Sequence, residues 1–312
     1  MTTRSTTRAL KGVFGTVLVA AMVTVAAPAG ADPGGEPVTP MIIGGDLATE
    51  TYTGMGSLQR KADQWHSCAV WLSDLSPRHA ITNAHCVTTY PTSTPRDASL
   101  YQVRFGSNNR LDGGKLVGIK RILPHAAWNW GAGTGADADI AVLELDQPVR
   151  LKPFHIPTRT PAPSSKRTTV RAIGWGLTSW PGWTGPAPVD LSQLTMDIVD
   201  PSSCAAADIG VGEICVIGPD SATGICFGDS GSPVLQRSRH WGTRWDALGG
   251  FSRAVDEQTC TGAAVMTDAA YYRTWIRTVI RTGVVPPAPA HATSIRSNTP
   301  NPIYQRANQQ AG

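Results

Sequence analysis

From Ile42 to about Met266 the chain alternates short apolar, β-branched runs with turn signals. Leu116–Ile122, Ile140–Leu145, Val170–Ile173 and Ala247–Phe251 are runs of this kind, and Asp112-Gly113-Gly114 is a turn of this kind. Many short strands at such spacing predict an all-β sandwich or barrel. One stretch changes period. Tyr272, Trp275, Ile276, Val279 and Ile280 fall at i, i+3, i+4, i+7 and i+8. Thr267 and Asp268 are candidate caps before it and Gly283 is the stop after it, so the spacing predicts a helix whose apolar stripe docks on the strands. The sequence carries no repeat, no heptads and no CxxC metal motif.

Both ends lack these periods. Residues 1–31 start with Arg4, Arg8 and Lys11, run apolar from Val13 to Ala27, and close on Ala29-Gly30-Ala31. That run of 15 residues falls short of the roughly 18 to 20 that span a bilayer. Together with the small residues of a cleavage site it predicts a secretory signal peptide. Residues 32–41, with three prolines and no apolar periodicity, predict an extended propeptide. Residues 283–312 are rich in Pro, Ala, Ser and Asn and predict a flexible tail, which leaves 42–282 as the folded domain.

Composition sharpens the picture. At 41% hydrophobic residues over 312 positions, a wholly disordered chain is excluded. The 32 glycines and 24 prolines make about 18% against a usual ~12%, and charged residues are 16% against a usual ~25%. That favours a loop-rich strand protein over a helical bundle. The net charge of +4 sits mostly at the ends, and residues 42–282 carry only +1. A near-neutral body gives no electrostatic footprint for nucleic acid. Outside the cell six cysteines read as three disulfides, among 15 connectivities that the sequence leaves open.

The candidate chemistry lies in three places. Cys226-Phe227-Gly228-Asp229-Ser230-Gly231-Ser232-Pro233 sets a serine among glycines, where backbone N–H groups can approach a reacting carbonyl. Serine is a poor nucleophile unless a base and an orienting acid assist it. Ile81-Thr82-Asn83-Ala84-His85-Cys86 offers a histidine at a strand end beside a cysteine that could pin it. Asp137-Ala138-Asp139-Ile140-Ala141-Val142-Leu143 offers an aspartate opening a buried strand.

These residues together resemble the chymotrypsin/trypsin family of secreted serine endopeptidases, and composition suggests a bacterial member. The resemblance runs from Ile42 to about Ile280 on four motifs: IIGG at 42–45, TNAHC at 82–86, DIAVL at 139–143 and GDSGSP at 228–233. Gly174-Trp175-Gly176 and the terminal helix agree with it. The family implies two six-stranded antiparallel β-barrels with the active site between them and a C-terminal α-helix. It also implies Ser230 as nucleophile, His85 as general base and then acid, and Asp139 as the carboxylate that orients the imidazole. Asp137 is the rival acid, set aside because the family motif puts the acid directly before the Ile-Ala run. Ser252 matches the serine supporting the aspartate, and the N–H groups of Gly228 and Ser230 match the oxyanion hole. The disulfides implied are Cys68–Cys86, Cys204–Cys215 and Cys226–Cys260.

In this family a cut before an Ile-Val-Gly-Gly-like sequence frees an α-ammonium that pairs with the aspartate preceding the nucleophile, here Ile42 with Asp229. Met41 stands where many zymogens carry Arg or Lys, so the activator expected is a secreted protease that favours bonds before Ile. The pocket base corresponds to Gly224, with no carboxylate for Arg or Lys, and the walls to Ala254 and Ala264, whose methyls narrow the slot. Cleavage after small or medium apolar residues follows, an elastase-like preference. Phe251 stands where glutamyl-specific relatives have histidine, and Asp220, four residues from Gly224, is read as a solvated loop residue.

The chain departs from the family at Ala69-Val70, Asn83, Ser232 and Arg253, the last replacing a tryptophan beside the strand to which substrate backbone adds. Tryptophans 128, 130, 180 and 183 fall in loops that border the cleft in the family, either gripping substrate or a partner or packing those loops. His125 is expected to be structural. No cofactor or metal is implied, since the segment after Cys86 lacks clustered carboxylates. Expected partners are protein or peptide substrates and the activating protease, with no nucleic acid and no membrane span, for a secreted, extracellular monomer. A catalytically weak protease-fold binding protein at the cell surface is the alternative.

Overall fold

Pairing between short strands closes two barrels. The computed structural model describes residues 1–2, 42–131, 138–163, 168–178, 187–238 and 245–288. Contacts divide the chain after Val38, and all elements named here lie in the unit beginning at Thr39. The signal peptide, the propeptide, Asp137, Trp180, Trp183 and most of the tail lie outside the described residues.

The first barrel uses β1 (Met55–Arg60), β2 (His66–Leu72), β3 (His79–Thr82), β4 (Tyr101–Phe105), β5 (Lys115–Pro124) and β6 (Ala141–Leu145). They close in the order β1-β2-β3-β6-β5-β4. The second uses β7 (Thr168–Gly174), β8 (Ser192–Val199), β9 (Glu213–Ile217), β10 (Pro233–Arg237), β11 (Trp245–Ala254) and β12 (Ala263–Asp268). Here the order is β8-β7-β10-β11-β12-β9, with β8 pairing β9 to close the ring. Numbered from its own first strand, each half has the same connectivity, although the sequences show no repeat. Every barrel pairing is antiparallel.

Alternation decides which side chains face which core. In β4, Tyr101, Val103 and Phe105 point inward while the residues between are half-buried. Strand β2 is buried at all seven positions, because its two faces serve different cores. Cys68, Val70 and Leu72 join the interior of the first barrel. Ala69 and Trp71 join a second cluster with Ile173, Trp175, Leu235 and Ala247 of the other barrel. That shared layer fixes the two barrels against each other and sets the geometry of anything in the crevice.

The predicted helix is α1, Arg273–Thr282. Its Ile276 and Val279 enter the shared layer, and Trp275 and Ile280 pack at its edge. Gly283 ends it in the left-handed region at φ 67°, its N–H donating to Val279 O. The expected caps do not cap it. Tyr272 is the N-cap residue and uses no side-chain bond. Thr267 remains in β12, and Asp268 instead accepts from the N–H groups of Ala270 and Tyr271 and from the Thr160 hydroxyl, shaping the turn before the helix. Ile276→Ala is expected to cost about 2–5 kcal/mol, read as a lowered urea midpoint with an unchanged slope; a loss below 1 kcal/mol would mean that α1 does not anchor the shared layer.

Candidate active site

The crevice chemistry starts from the end of β3. There Ala84–Cys86 form one turn of 3₁₀ helix that buries His85. The Cys68–Cys86 disulfide ties this turn to β2, and His85 Nε2 lies 3.7 Å from Cys86 Sγ. Both sulfurs of that cluster are consumed by the disulfide, so it offers no thiolate to a metal.

Asp139, wholly buried, opens the run into β6. Its Oδ2 faces His85 Nδ1 at 2.7 Å and its Oδ1 accepts the His85 backbone N–H at 2.9 Å. Oδ2 also accepts from the Ser252 hydroxyl at 2.7 Å and from Asn83 Nδ2 at 2.9 Å. Burial pushes this carboxyl up. The facing His85 charge, the His85 and Asn83 side-chain bonds and the His85 N–H outweigh it and hold the group below its ordinary value. An ionised carboxylate only accepts, so the His85 nitrogen facing it, Nδ1, carries a proton. Thr267 completes the shell, bonding Asn83 Nδ2 at 3.2 Å and the Asp139 carbonyl at 3.0 Å.

The serine loop is held between the barrels. Ala69 N–H of β2 donates to Ser230 O at 2.7 Å, and Gly231 N–H donates to Phe251 O of β11 at 3.0 Å. Gly231 sits at φ 79°, and a Cβ there would overlap Ala69 O, so this approach requires glycine. Gly228 sits at φ 90°. Around it, Leu177 N–H holds Phe227 O at 2.8 Å, and Ser232 N–H holds Asp229 O at 2.8 Å. Because each peptide is planar and trans, the N–H groups of Gly228 and Ser230 point away from those bonds. Among the described residues neither of these two N–H groups donates to a protein acceptor, while those of Asp229, Gly231 and Ser232 all do.

A buried histidine that the sequence reading missed braces this loop. His66 Nε2 bonds Gly228 O at 2.9 Å and its Nδ1 bonds Ser57 Oγ at 2.8 Å. Burial pushes its pKa down to about 3, so the ring is neutral. The available signal was a histidine two residues before Cys68 on a buried strand, and nothing in the sequence linked it to Gly228, 162 residues away. Asn83 was noticed as a departure, but its bond to Asp139 was not foreseen.

Beneath the loop, Asp229 is fully buried and accepts from the N–H groups of Gly176 at 2.8 Å and Cys226 at 3.1 Å. No cation pairs with it among the described residues, and burial pushes its pKa up to about 7 against the pull of those two bonds. Ile42 is buried, and the carbonyl of its neighbour Ile43 accepts Gly224 N–H at 3.0 Å.

Gly224, Ala254 and Ala264 are all buried, and the two alanines face each other across β11 and β12. A Cβ at 224 would overlap the Cys260 carbonyl. Asp220 is exposed and its carboxylate accepts Ala222 N–H, so it caps its own turn. The other disulfides join Cys204 to Cys215 and Cys226 to Cys260.

For two of the loop tryptophans the packing alternative holds. Trp128 and Trp130 are buried in the first barrel, Trp128 donating to Thr88 Oγ1 at 2.9 Å, so they pack the core and do not grip substrate. His125 meets Tyr272 edge-on and Trp275 at a tilt, and burial lowers its pKa to about 4. Arg253 is 2% exposed, and its guanidinium turns inward to Glu213.

The family model described as Trypsin matches residues 42–276. Fibrinolytic enzyme, isozyme C, of Lumbricus rubellus is 31% identical over 207 residues, covering 62% of this chain and 81% of its own. Trypsin alpha-4 of Lucilia cuprina is 30% identical over 249 residues, 75% of this chain and 86% of its own. Chymotrypsin-C of Bos taurus is 27% identical over 252 residues, 75% and 87%. These three relatives are animal proteins and lend nothing to the bacterial origin that composition suggested.

Proposed function

The chain belongs to the trypsin family of serine endopeptidases, and on that premise we propose that it is a secreted protease working through Ser230, His85 and Asp139. Ser230 Oγ attacks the scissile carbonyl carbon as its proton passes to His85 Nε2. The oxyanion takes the N–H groups of Gly228 and Ser230. The C–N bond then breaks, the leaving amine takes the proton from His85, and water releases the acyl group by the reverse relay. Asp139 does not ionise or protonate in the cycle; it holds Nδ1–H and stabilises the imidazolium.

The observation that carries this reading is the pair of uncommitted N–H groups at Gly228 and Ser230. Donors of that kind are where an oxyanion is stabilised, each worth ~10²- to 10³-fold in rate. They lie at and just before Ser230, on the loop that the two barrels grip.

The chain is organised as a signal peptide over 1–31, a propeptide over 32–41, the protease domain over 42–282 and a tail over 283–312. Cutting before Ile42 activates it through the Ile42–Asp229 pair, by a secreted protease that favours bonds before Ile. The product works outside the cell as a monomer on protein or peptide substrates. Gly224 supplies no carboxylate, and Ala254 and Ala264 add methyls, which supports cleavage after small or medium apolar residues.

Two measurements test this. A peptide phosphonate should label the Ile42-starting protein, with mass spectrometry placing the adduct on Ser230. Cleavage of a peptide library should concentrate after Ala, Val and Leu. Cuts after Arg or Lys would sink the pocket reading alone, while folded, correctly cut protein that takes no label would sink the catalytic reading.

A further inference from the structure

Two fully buried charges lie behind the acid of the proposed triad. Arg253 of β11 and Glu213 of β9 have side chains only 1% exposed. Arg253 Nη1 meets Glu213 Oε1 at 2.6 Å and Nη2 meets Oε2 at 2.9 Å, a forked pair. Nε donates to Ala207 O at 2.8 Å and Nη2 to Asp208 O at 3.2 Å, while Glu213 Oε2 accepts Gly210 N–H at 2.7 Å. The remaining reach of the fork is toward the site: Nη1 lies 3.3 Å from Ser252 Oγ.

That contact has a forced direction. A guanidinium has no acceptor, and the serine hydroxyl has one proton. With Arg253 donating to its lone pair, Ser252 keeps its proton for Asp139 Oδ2, 2.7 Å away. The chain of bonds runs Glu213, Arg253, Ser252, Asp139, His85, with the cation next to the hydroxyl and the anion behind it. The charged groups around Ser252 are thus His85 and Asp139 on one side and Arg253 with Glu213 on the other; Asn83 and Thr267 are neutral. Stability gives little reason for such a pair, because burying two ions costs about what their attraction returns, and apolar replacements of similar size are often neutral or better.

We infer that Arg253 is a positioning residue for the reaction: paired with Glu213, it fixes the Ser252 hydroxyl as a donor to Asp139 and so holds the acid that orients His85. The inference rests on the catalytic reading of His85, Asp139 and Ser230. A cation polarising a hydroxyl strengthens the bond that hydroxyl donates. Without it, Ser252 is free to turn its proton elsewhere, and Asp139 loses both a fixed donor and part of its neutralisation.

The test is kinetic, on the Ile42-starting protein. Arg253→Met with Glu213→Gln removes both charges and leaves no buried ion unpaired. Arg253→Lys keeps a cation for Glu213 without the fork, and guards against failure of the first variant to fold. In both, kcat should fall, by roughly tenfold in the first, with KM within about twofold. The acid limb of kcat/KM should move up by about half a pH unit, because an imidazolium facing a less neutralised carboxylate holds its proton more firmly. Made on Ser252→Ala, the same changes should have almost no further effect, since their route is gone. Unchanged kcat and acid limb in folded variants, or an undiminished effect on Ser252→Ala, overturns the inference. Wild-type activity that survives Ser230→Ala overturns the catalytic reading and this inference with it. Ser230-dependent activity indifferent to Arg253 overturns this inference alone.

Discussion

Ser230→Ala, His85→Ala and the double variant are expected to lose the same activity, on the order of 10⁶-fold in kcat, with KM little changed. The equality follows from the proposed chemistry. A serine without its base remains a weak nucleophile, and a base without the serine has nothing to deprotonate, so removing either removes the whole pathway. Activity does not fall to zero, because the N–H groups of Gly228 and Ser230 belong to the backbone and survive both changes. Asp139→Asn should cost less, ~10⁴-fold, since the neutral amide accepts or donates and lets the imidazole take the wrong tautomer. Single-turnover kinetics on a small ester with each variant would check this. Losses that multiply in the double variant, or a loss below ~10²-fold in either single one, would mean that Ser230 and His85 do not act as a unit.

Much of this architecture is legible in local pattern, and the rest is missing for one physical reason. Strands and α1 are periodic within a few residues, so Leu116–Ile122 and the Tyr272–Ile280 stripe announce themselves. Barrel closure depends on pairing between distant strands, as when β1 pairs β4 or β8 pairs β9, and period alone does not encode a partner. The shared connectivity of the two halves is invisible for the same reason. Polar contacts around the site are more distant still: Asn83 meets Thr267 across 184 residues and His66 meets Gly228 across 162.

Arg253 shows how such contacts escape local pattern. Its place beside the substrate strand leaves open where the side chain turns. Glu213, 40 residues away, takes the guanidinium in a forked pair inside the barrel. The two tryptophans are a similar case, because loop position alone does not reveal that Trp128 finds Thr88 for its N–H and Trp130 finds Tyr90 for its face.

Cutting the Met41–Ile42 bond is expected to raise activity by about 10²- to 10³-fold, the worth of an oxyanion donor, and Asp229→Asn is expected to abolish the gain. The argument begins with the burial of Asp229. Its carboxyl holds two backbone N–H groups and meets no cation among the described residues, and its pKa stands at about 7. An unfolded aspartate titrates near 4, so between about pH 4 and 7 the uncut fold keeps a proton that the unfolded chain releases. Its stability therefore falls as pH rises through that window, by at most about 1.4 kcal/mol per unit. A new α-ammonium at Ile42 would pull this carboxyl down and remove the slope. It would also anchor the segment just before the N–H of Ser230, the donor that an unpaired, protonated Asp229 leaves less firmly placed. Thermal midpoints should thus drop from pH 4 to 7 in uncut Ser230→Ala protein, relative to the same protein with Asp229→Asn. In the cut protein that relative drop should vanish. Equal activity before and after the cut, or the same pH slope in both forms, would show that Ile42 and Asp229 do not pair.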